Sequence, residues 1–297
     1  MSEAARKTTS RRDLSRNEEF EQISPEVGEL DEDAFDELAA EDLDEALALL
    51  ADLTGATDPK LRALAHRLAG RLFLDLAKRG PARPKGVGKL QTQRFRIDGG
   101  DLDVDASIEE LGEARRAGRP VDPDAIRIRG WVTPGTAICL LLDRSGSMGG
   151  KPLAAAAVAA AAVASRSPDD YSVVAFSKEC IVVRSQDAPK SSERVVSDIL
   201  TLRGHGTTDL AGALQVAARQ LSRSRAGRKV TVLLSDCRAT APGDVYAAAR
   251  SLDELVIVAP EGDDAEALKL AGEIGARLAL VSGPSQVADA LMRVLSD

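Results

Sequence analysis

The stretch 137–165 reads Ala137-Ile138-Cys139-Leu140-Leu141-Leu142, then Asp143-Arg144-Ser145-Gly146-Ser147-Met148-Gly149-Gly150, then an Ala- and Val-rich run over 153–165. Six consecutive apolar residues suit a strand buried on both faces, and the Gly and hydroxyl residues after them suit a turn. The third part is too long for a strand and too small-sided for an exposed helix, so it predicts a buried helix packed closely on a sheet.

Working outward, the alternation continues to the end of the chain. Strand-length apolar runs occupy 171–176, 180–183, 229–234, 255–258 and 277–281, and helical segments occupy 192–202, 210–222, 243–251, 264–274 and 285–295. Near-continuous apolar strands separated by helices predict an α/β fold, a doubly wound, mostly parallel six-stranded sheet covered on both faces. The short connection Phe176-Ser177-Lys178-Glu179-Cys180 predicts one hairpin and an antiparallel edge strand.

Upstream of 135 the composition changes. Residues 13–58 hold 17 Asp or Glu against the single basic residue Arg16, whereas 59–97 hold 11 Lys or Arg against the single Asp75. Within 24–50 the apolar residues Phe35, Leu38, Leu43, Leu47 and Leu50 recur at helical spacing and predict two short amphipathic helices. Asp58-Pro59 supplies an N-cap and a proline at the first helical position, Leu61, Leu64, Leu68, Leu72 and Leu76 form a stripe, and Gly80 ends the helix. Three regions are expected: an acidic helical N-terminal region over 1–80, a basic linker with a connecting helix near 106–117 over 81–134, and the α/β domain over 135–297. The acidic 13–58 segment and the basic 59–97 segment are expected to attract each other rather than to bind nucleic acid or anionic lipid.

Composition removes several functions. Of 297 residues only 3% are aromatic, too few for base-stacking or sugar-binding platforms. Cys139, Cys180 and Cys237 form no C-x-x-C pair, and the polar start Met1-Ser2-Glu3-Ala4-Ala5-Arg6 does not read as a signal peptide, so a reducing, cytoplasmic setting is expected. The longest apolar run, 152–164, is too short to cross a bilayer. Gly86-Val87-Gly88-Lys89 is not a Walker A loop, because Arg83 stands where glycine is needed and Leu90 where Ser or Thr is needed.

In a doubly wound sheet, ligands bind outside the carboxyl ends of the strands. Three loops reach that edge: the 143–150 turn with Asp143, Ser145 and Ser147, the Arg203-Gly204-His205-Gly206-Thr207-Thr208-Asp209 loop, and Ser235-Asp236 after the 229–234 strand. Asp143, Ser145, Ser147, Thr208 and Asp236 thus offer two carboxylates and three hydroxyls. Such a hard-oxygen set matches a divalent cation, Mg²⁺ with Mn²⁺ as the alternative, and leaves a coordination position for an acidic oxygen from a partner.

Asp143-x-Ser145-x-Ser147, with Thr208 in Gly-Thr-Thr-Asp-Leu and Asp236 after an apolar strand, resembles the metal-ion-dependent adhesion site of von Willebrand factor A domains. The resemblance implies strand order 3-2-1-4-5-6 and direct metal contacts from Ser145, Ser147 and Thr208. It implies contacts from Asp143 and Asp236 either directly or through water. It also implies a shift of the last helix, 285–295, when a partner carboxylate binds. One position departs from the family: Cys237 follows Asp236 where glycine is common.

The expected function is therefore a non-catalytic, metal-dependent protein-binding module. In outline the chain resembles intracellular bacterial members of the family, which implies a separate AAA+ ATPase partner of MoxR or magnesium/cobalt-chelatase type. An accessory subunit of a chelatase-type enzyme is the alternative. A hydrolase triad of Ser147, His205 and Asp236 is disfavoured, because the serine lacks the G-x-S-x-G elbow. Singly, each of these Ser, Thr and Asp residues is a common turn or cap residue.

Overall fold

The computed structural model of the protein describes residues 8–78, 89–94, 101–122, 125–132, 135–145, 150–204 and 206–296. The chain divides into two compact units, one joining Met1–Arg83 with Thr136–Asp297, the other formed by Pro84–Gly135.

The first unit opens with helices α1 (Arg11–Leu14), α2 (Phe20–Ile23), α3 (Glu32–Glu41), α4 (Leu43–Leu53) and α5 (Pro59–Lys78). Acids start three of them. Asp31 accepts from the Asp33 and Ala34 N–H groups, Asp42 from Glu45 N–H, and Asp58 from the Lys60 and Leu61 N–H groups. Each satisfies backbone donors that the first helical turn leaves unpaired. The face that α5 buries is rotated from the expected leucine stripe: Leu61, Ala65, Leu68, Ala69, Phe73 and Ala77 are buried, while Leu64, Leu72 and Leu76 are half-buried.

The second unit holds β1 (Lys89–Arg94), β2 (Asp101–Leu102), α6 (Val104–Ala117) and β3 (Arg127–Val132), with the strands in the order β1-β3-β2, all antiparallel. Part of the segment expected to be linker is thus a sheet strand. Local composition hid it because β1 alternates polar residues with only one apolar side chain, and its backbone is satisfied by a partner some 40 positions away. Asp103 caps α6 through Ala106 N–H, and its other oxygen takes Thr92 Oγ1 at 2.6 Å and Arg129 Nε at 3.1 Å.

The first unit resumes with β4 (Thr136–Asp143), α7 (Gly150–Arg166), β5 (Tyr171–Phe176), β6 (Cys180–Arg184), α8 (Ser192–Leu200) and α9 (Leu210–Leu221). It ends with β7 (Arg228–Leu234), α10 (Val245–Arg250), β8 (Glu254–Pro260), α11 (Ala265–Ile274), β9 (Arg277–Val281) and α12 (Pro284–Ser296). The six strands lie in the order β6-β5-β4-β7-β8-β9, with only β6 antiparallel. Counted within this sheet, that is the expected 3-2-1-4-5-6.

Strand alternation sends neighbouring residues to opposite faces. Ile138, Leu140 and Leu142 of β4 join one core with α7, α8 and α12, while Ala137, Cys139 and Leu141 join a second with α9, α10 and α11. Helix α7 is buried almost all round, from Leu153 through Ala164. The front helices have no separate core: Phe35, Leu47, Leu50, Leu53, Leu61 and Phe73 belong to the same buried cluster as Val158, Ala161 and Leu291. Helices α4 and α5 both pack on α7, giving it a cover on the side away from the sheet.

The opposite charges of the front segments meet through Arg71 and Glu32, 3.0 Å apart on an exposed surface, where such a pair contributes about 0–1 kcal/mol. No helix among the described residues is long and apolar enough to cross a membrane.

Candidate metal centre

Strands β4 and β7 are parallel neighbours, with Leu142 beside Leu234, so their carboxyl ends deliver Asp143 and Ser235-Asp236 to one edge. Asp143 is fixed from both sides. Its Oδ1 accepts the Ser145 N–H at 2.8 Å, and its Oδ2 accepts the Ser235 hydroxyl at 2.6 Å. Ser235 Oγ in turn accepts the Cys237 N–H at 2.9 Å, so one buried hydroxyl ties the two strand ends together. Asp236 Oδ1 accepts the Arg238 N–H at 2.9 Å, and the Arg238 side chain turns toward Asp263.

Asp143, Ser145 and Asp236 line one cleft of about 250 Å³, with Lys151 at the start of α7 and Gly283 and Pro284 at the start of α12 among its walls. Thr208 is not among the lining residues. It is 3% exposed, its N–H donates to Thr240 Oγ1 at 2.7 Å, and its carbonyl accepts the Thr240 and Ala241 N–H groups. The Thr208 loop is therefore stitched to the segment that follows Asp236, and Asp209 N–H pins it to Ser177 at the end of β5. Ser147 and His205 lie outside the described residues, so two members of the disfavoured hydrolase triad do as well.

Ser235, expected only as part of the loop that follows the 229–234 strand, anchors Asp143 through its hydroxyl. The signal for it in the sequence is its place directly before Asp236, just past the end of the strand that neighbours β4. Arg144 was also overlooked: it is 6% exposed, donates its N–H to the Phe176 carbonyl at 2.8 Å, and donates from Nη1 to the Arg203 carbonyl at 3.2 Å. It joins the ends of β4 and β5 to the loop before Thr208.

Cys237 adopts φ 64°, the left-handed conformation that glycine tolerates best. Burial pushes its thiol up to about 12, and the charges of Asp236 and Asp143 add to the shift. At 6% exposed, the thiol sits in the setting of an unreactive structural cysteine.

Two carboxylates and a serine hydroxyl facing one cleft form a hard donor set, suited to a divalent cation that prefers oxygen. Among the described residues, no group of three or more His, Cys, Asp or Glu is arranged to hold a metal. Any ion here would therefore depend on hydroxyls beside the two acids.

Residues 137–281 match the family model of the von Willebrand factor type A domain. No curated protein matches the chain. Solved structures with similar folds include an aerotolerance-related membrane protein from Bacteroides fragilis, at 16% identity over 54% of this chain and 98% of that one, with a TM-score of 0.44. A von Willebrand factor type A protein from Catenulispora acidiphila is 17% identical over 57% of this chain and 43% of its own, with a TM-score of 0.44. Manganese-loaded TRAP protein from Plasmodium vivax is 14% identical over 54% of this chain and 72% of its own, with a TM-score of 0.40.

Proposed function

We propose that the segment matching the von Willebrand factor type A domain is a divalent-metal-dependent, non-catalytic protein-binding module that captures an acidic side chain of a partner. The observation that carries this reading is the shared cleft of Asp143, Ser145 and Asp236, with Asp143 held by the Ser235 hydroxyl. Each oxygen of Asp143 accepts one hydrogen bond in this arrangement and retains a lone pair for an ion or its bound water.

Asp143, Ser145, Ser147, Thr208 and Asp236 are the residues that would hold the ion. When bound, it supplies a Lewis-acidic centre able to attract a carboxylate. Two acids offset the +2 charge, and neutral hydroxyls donate weakly, so a coordination position remains that a partner's Asp or Glu can fill. Mg²⁺ is the proposed ion, with Mn²⁺ as the alternative. The partner is proposed to be an AAA+ ATPase of MoxR or chelatase type in the cytoplasm, on the strength of the resemblance to intracellular bacterial members of the family.

Metal binding is tested by titrating Mg²⁺ or Mn²⁺ into the chain and into Asp143→Ala. Capture is tested by pull-down with Mg²⁺ and with EDTA. Loss of binding in Asp143→Ala and of capture in EDTA is the expected outcome; capture indifferent to both overturns the reading.

A further inference from the structure

Helix α4 places its acids in an unusual pattern. Asp44 and Glu45 lie in its first turn, where the helix dipole favours them, but Asp52 lies in its last turn, where the dipole disfavours an acid. Asp52 is also partly buried, and burial raises its pKa above the ordinary carboxylate value against the opposing pull of Gly150 N–H and Arg203. An acid retained against both local preferences needs a compensating contact. Asp52 Oδ1 has one, accepting the Gly150 N–H at 2.7 Å at the N-terminus of α7.

Gly150 opens α7 and follows, in sequence, the stretch after Asp143 that carries Ser145 and Ser147. The near end of that stretch is fixed by Asp143 itself, through Ser145 N–H. Asp52 holds Gly150. Gly150 has φ 50°, and a Cβ there would lie 3.6 Å from Asp52 Oδ2 and 3.9 Å from the Ala48 methyl, so the start of α7 rests directly on α4.

The same helix reaches the opposite wall of the cleft. Asp44 Oδ1 accepts the Ser285 N–H at 2.7 Å in the first turn of α12, and Gly283 packs so closely on the Asp44 carboxylate that a side chain there would collide with it. Between the two, Glu45 lies 3.7 Å from the ammonium of Lys151, another wall residue. Three acids of α4 thus contact the starts of two helices that border the cleft, Asp52 and Glu45 at α7 and Asp44 at α12.

We propose that Asp52 and Asp44 are positioning residues of the metal centre, making the N-terminal helix α4 a structural part of the site in the α/β domain. The inference rests on the metal reading above. Groups that orient metal ligands without touching the ion govern affinity through the geometry they impose. Here they do so across a contact between residues about 100 positions apart in sequence.

The test is Mn²⁺ titration of the full chain and of Asp52→Ala, Asp44→Ala, Asp52→Asn and the exposed control Asp36→Ala, with a thermal melt of each. Asp52→Ala and Asp44→Ala are expected to bind Mn²⁺ roughly tenfold more weakly. Asp52→Asn, whose amide oxygen accepts the same hydrogen bond, and Asp36→Ala are expected to bind like the unaltered chain. A purely structural role predicts lower melting temperatures with unchanged affinity, and that result overturns the inference while leaving the metal reading intact. No Mn²⁺ binding by the unaltered chain overturns both. Should an alanine variant fail to fold, hydrogen exchange of the unaltered chain decides the matter. Mg²⁺ is expected to slow exchange in α4, because coupling between two sites is reciprocal; unchanged α4 exchange on Mg²⁺ binding overturns the inference.

Discussion

Ser235 Oγ lies 2.6 Å from Asp143 Oδ2, joining the ends of two neighbouring parallel strands through one hydroxyl that is itself held by the Cys237 N–H. Ser235→Ala removes this link and leaves a buried N–H without its acceptor. The expected loss is about 1–3 kcal/mol of stability and roughly tenfold in Mg²⁺ or Mn²⁺ affinity. Denaturant unfolding and metal titration measure the two effects separately, and unchanged metal affinity would show that Asp143 needs no support from β7.

The left-handed backbone at Cys237 makes a second prediction. Cys237→Val places a β-branched side chain at φ 64° and is expected to destabilise the chain by about 1–2 kcal/mol or more. Cys237→Gly relieves the backbone but removes a small buried side chain, so it should unfold closer to the parent. Thermal melts of the two variants rank them, and a valine variant as stable as the glycine variant would contradict the backbone argument.

Thiol reactivity should follow burial. Cys139 and Cys237 are buried with thiols pushed up to about 12, whereas Cys180 is half-buried at the start of β6. In the folded chain at mildly alkaline pH, an alkylating reagent is expected to modify Cys180 first. Mass spectrometry of peptides from a labelling time course reads the order, and early labelling of Cys237 would count against a closed turn.

Two acids give opposite pH dependences. Asp52 has a raised pKa, so the folded chain holds its proton more tightly than the unfolded chain does. Its contribution to stability is therefore greatest below the ordinary carboxylate value of 3.8 and declines as pH rises through the raised value. Asp52→Asn should remove that decline and be at least as stable as the parent at neutral pH, with the two converging in acid. Glu254 has a lowered pKa, because hydrogen bonds from Arg228 outweigh desolvation and Arg277 adds charge. Its contribution is present above the ordinary value of 4.5 and is lost as pH falls through the folded value. Glu254→Gln should flatten the loss of stability below pH 4.5, an effect opposite in sign to that of Asp52→Asn.

Removing the front helices should be costly. A chain beginning near 135 uncovers the α7 face that packs on α4 and α5, exposing buried apolar surface worth about 25 cal/mol per Å². Aggregation or dye binding typical of exposed apolar surface is expected by size-exclusion chromatography and fluorescence. A well-folded monomer from that fragment would mean the front helices are dispensable covering.

Much of the sheet was legible because its central strands are buried along most of their length and its edge strands still carry short apolar runs. The runs 171–176 and 277–281 coincide with β5 and β9, and the hairpin at Phe176-Ser177-Lys178-Glu179-Cys180 gives the single antiparallel strand. Strand β1 was not legible, since its pairing with β3 depends on distant residues rather than on an apolar pattern of its own. The docking of α4 and α5 was hidden for a related reason. An amphipathic period shows that a helix has a face to bury but not what covers it, and α7 showed no polar face from which its two-sided burial might be bounded. At the site, motif spacing identified Asp143, Ser145 and Asp236 as neighbours. The sequence carried no sign that Thr208 is tied through Thr240, or that Ser235 bridges the strands, because both depend on which loops the topology brings side by side.

The eight-residue spacing from Asp44 to Asp52 makes α4 a ruler. At 1.5 Å per residue it sets about 12 Å between the two acids, and so fixes how far apart the N-terminal ends of α7 and α12 stand. A single residue inserted between the two acids would rotate one of them by about 100° and forfeit one contact, whatever residue was inserted, so α4 should accept substitutions on its outer face far more readily than insertions.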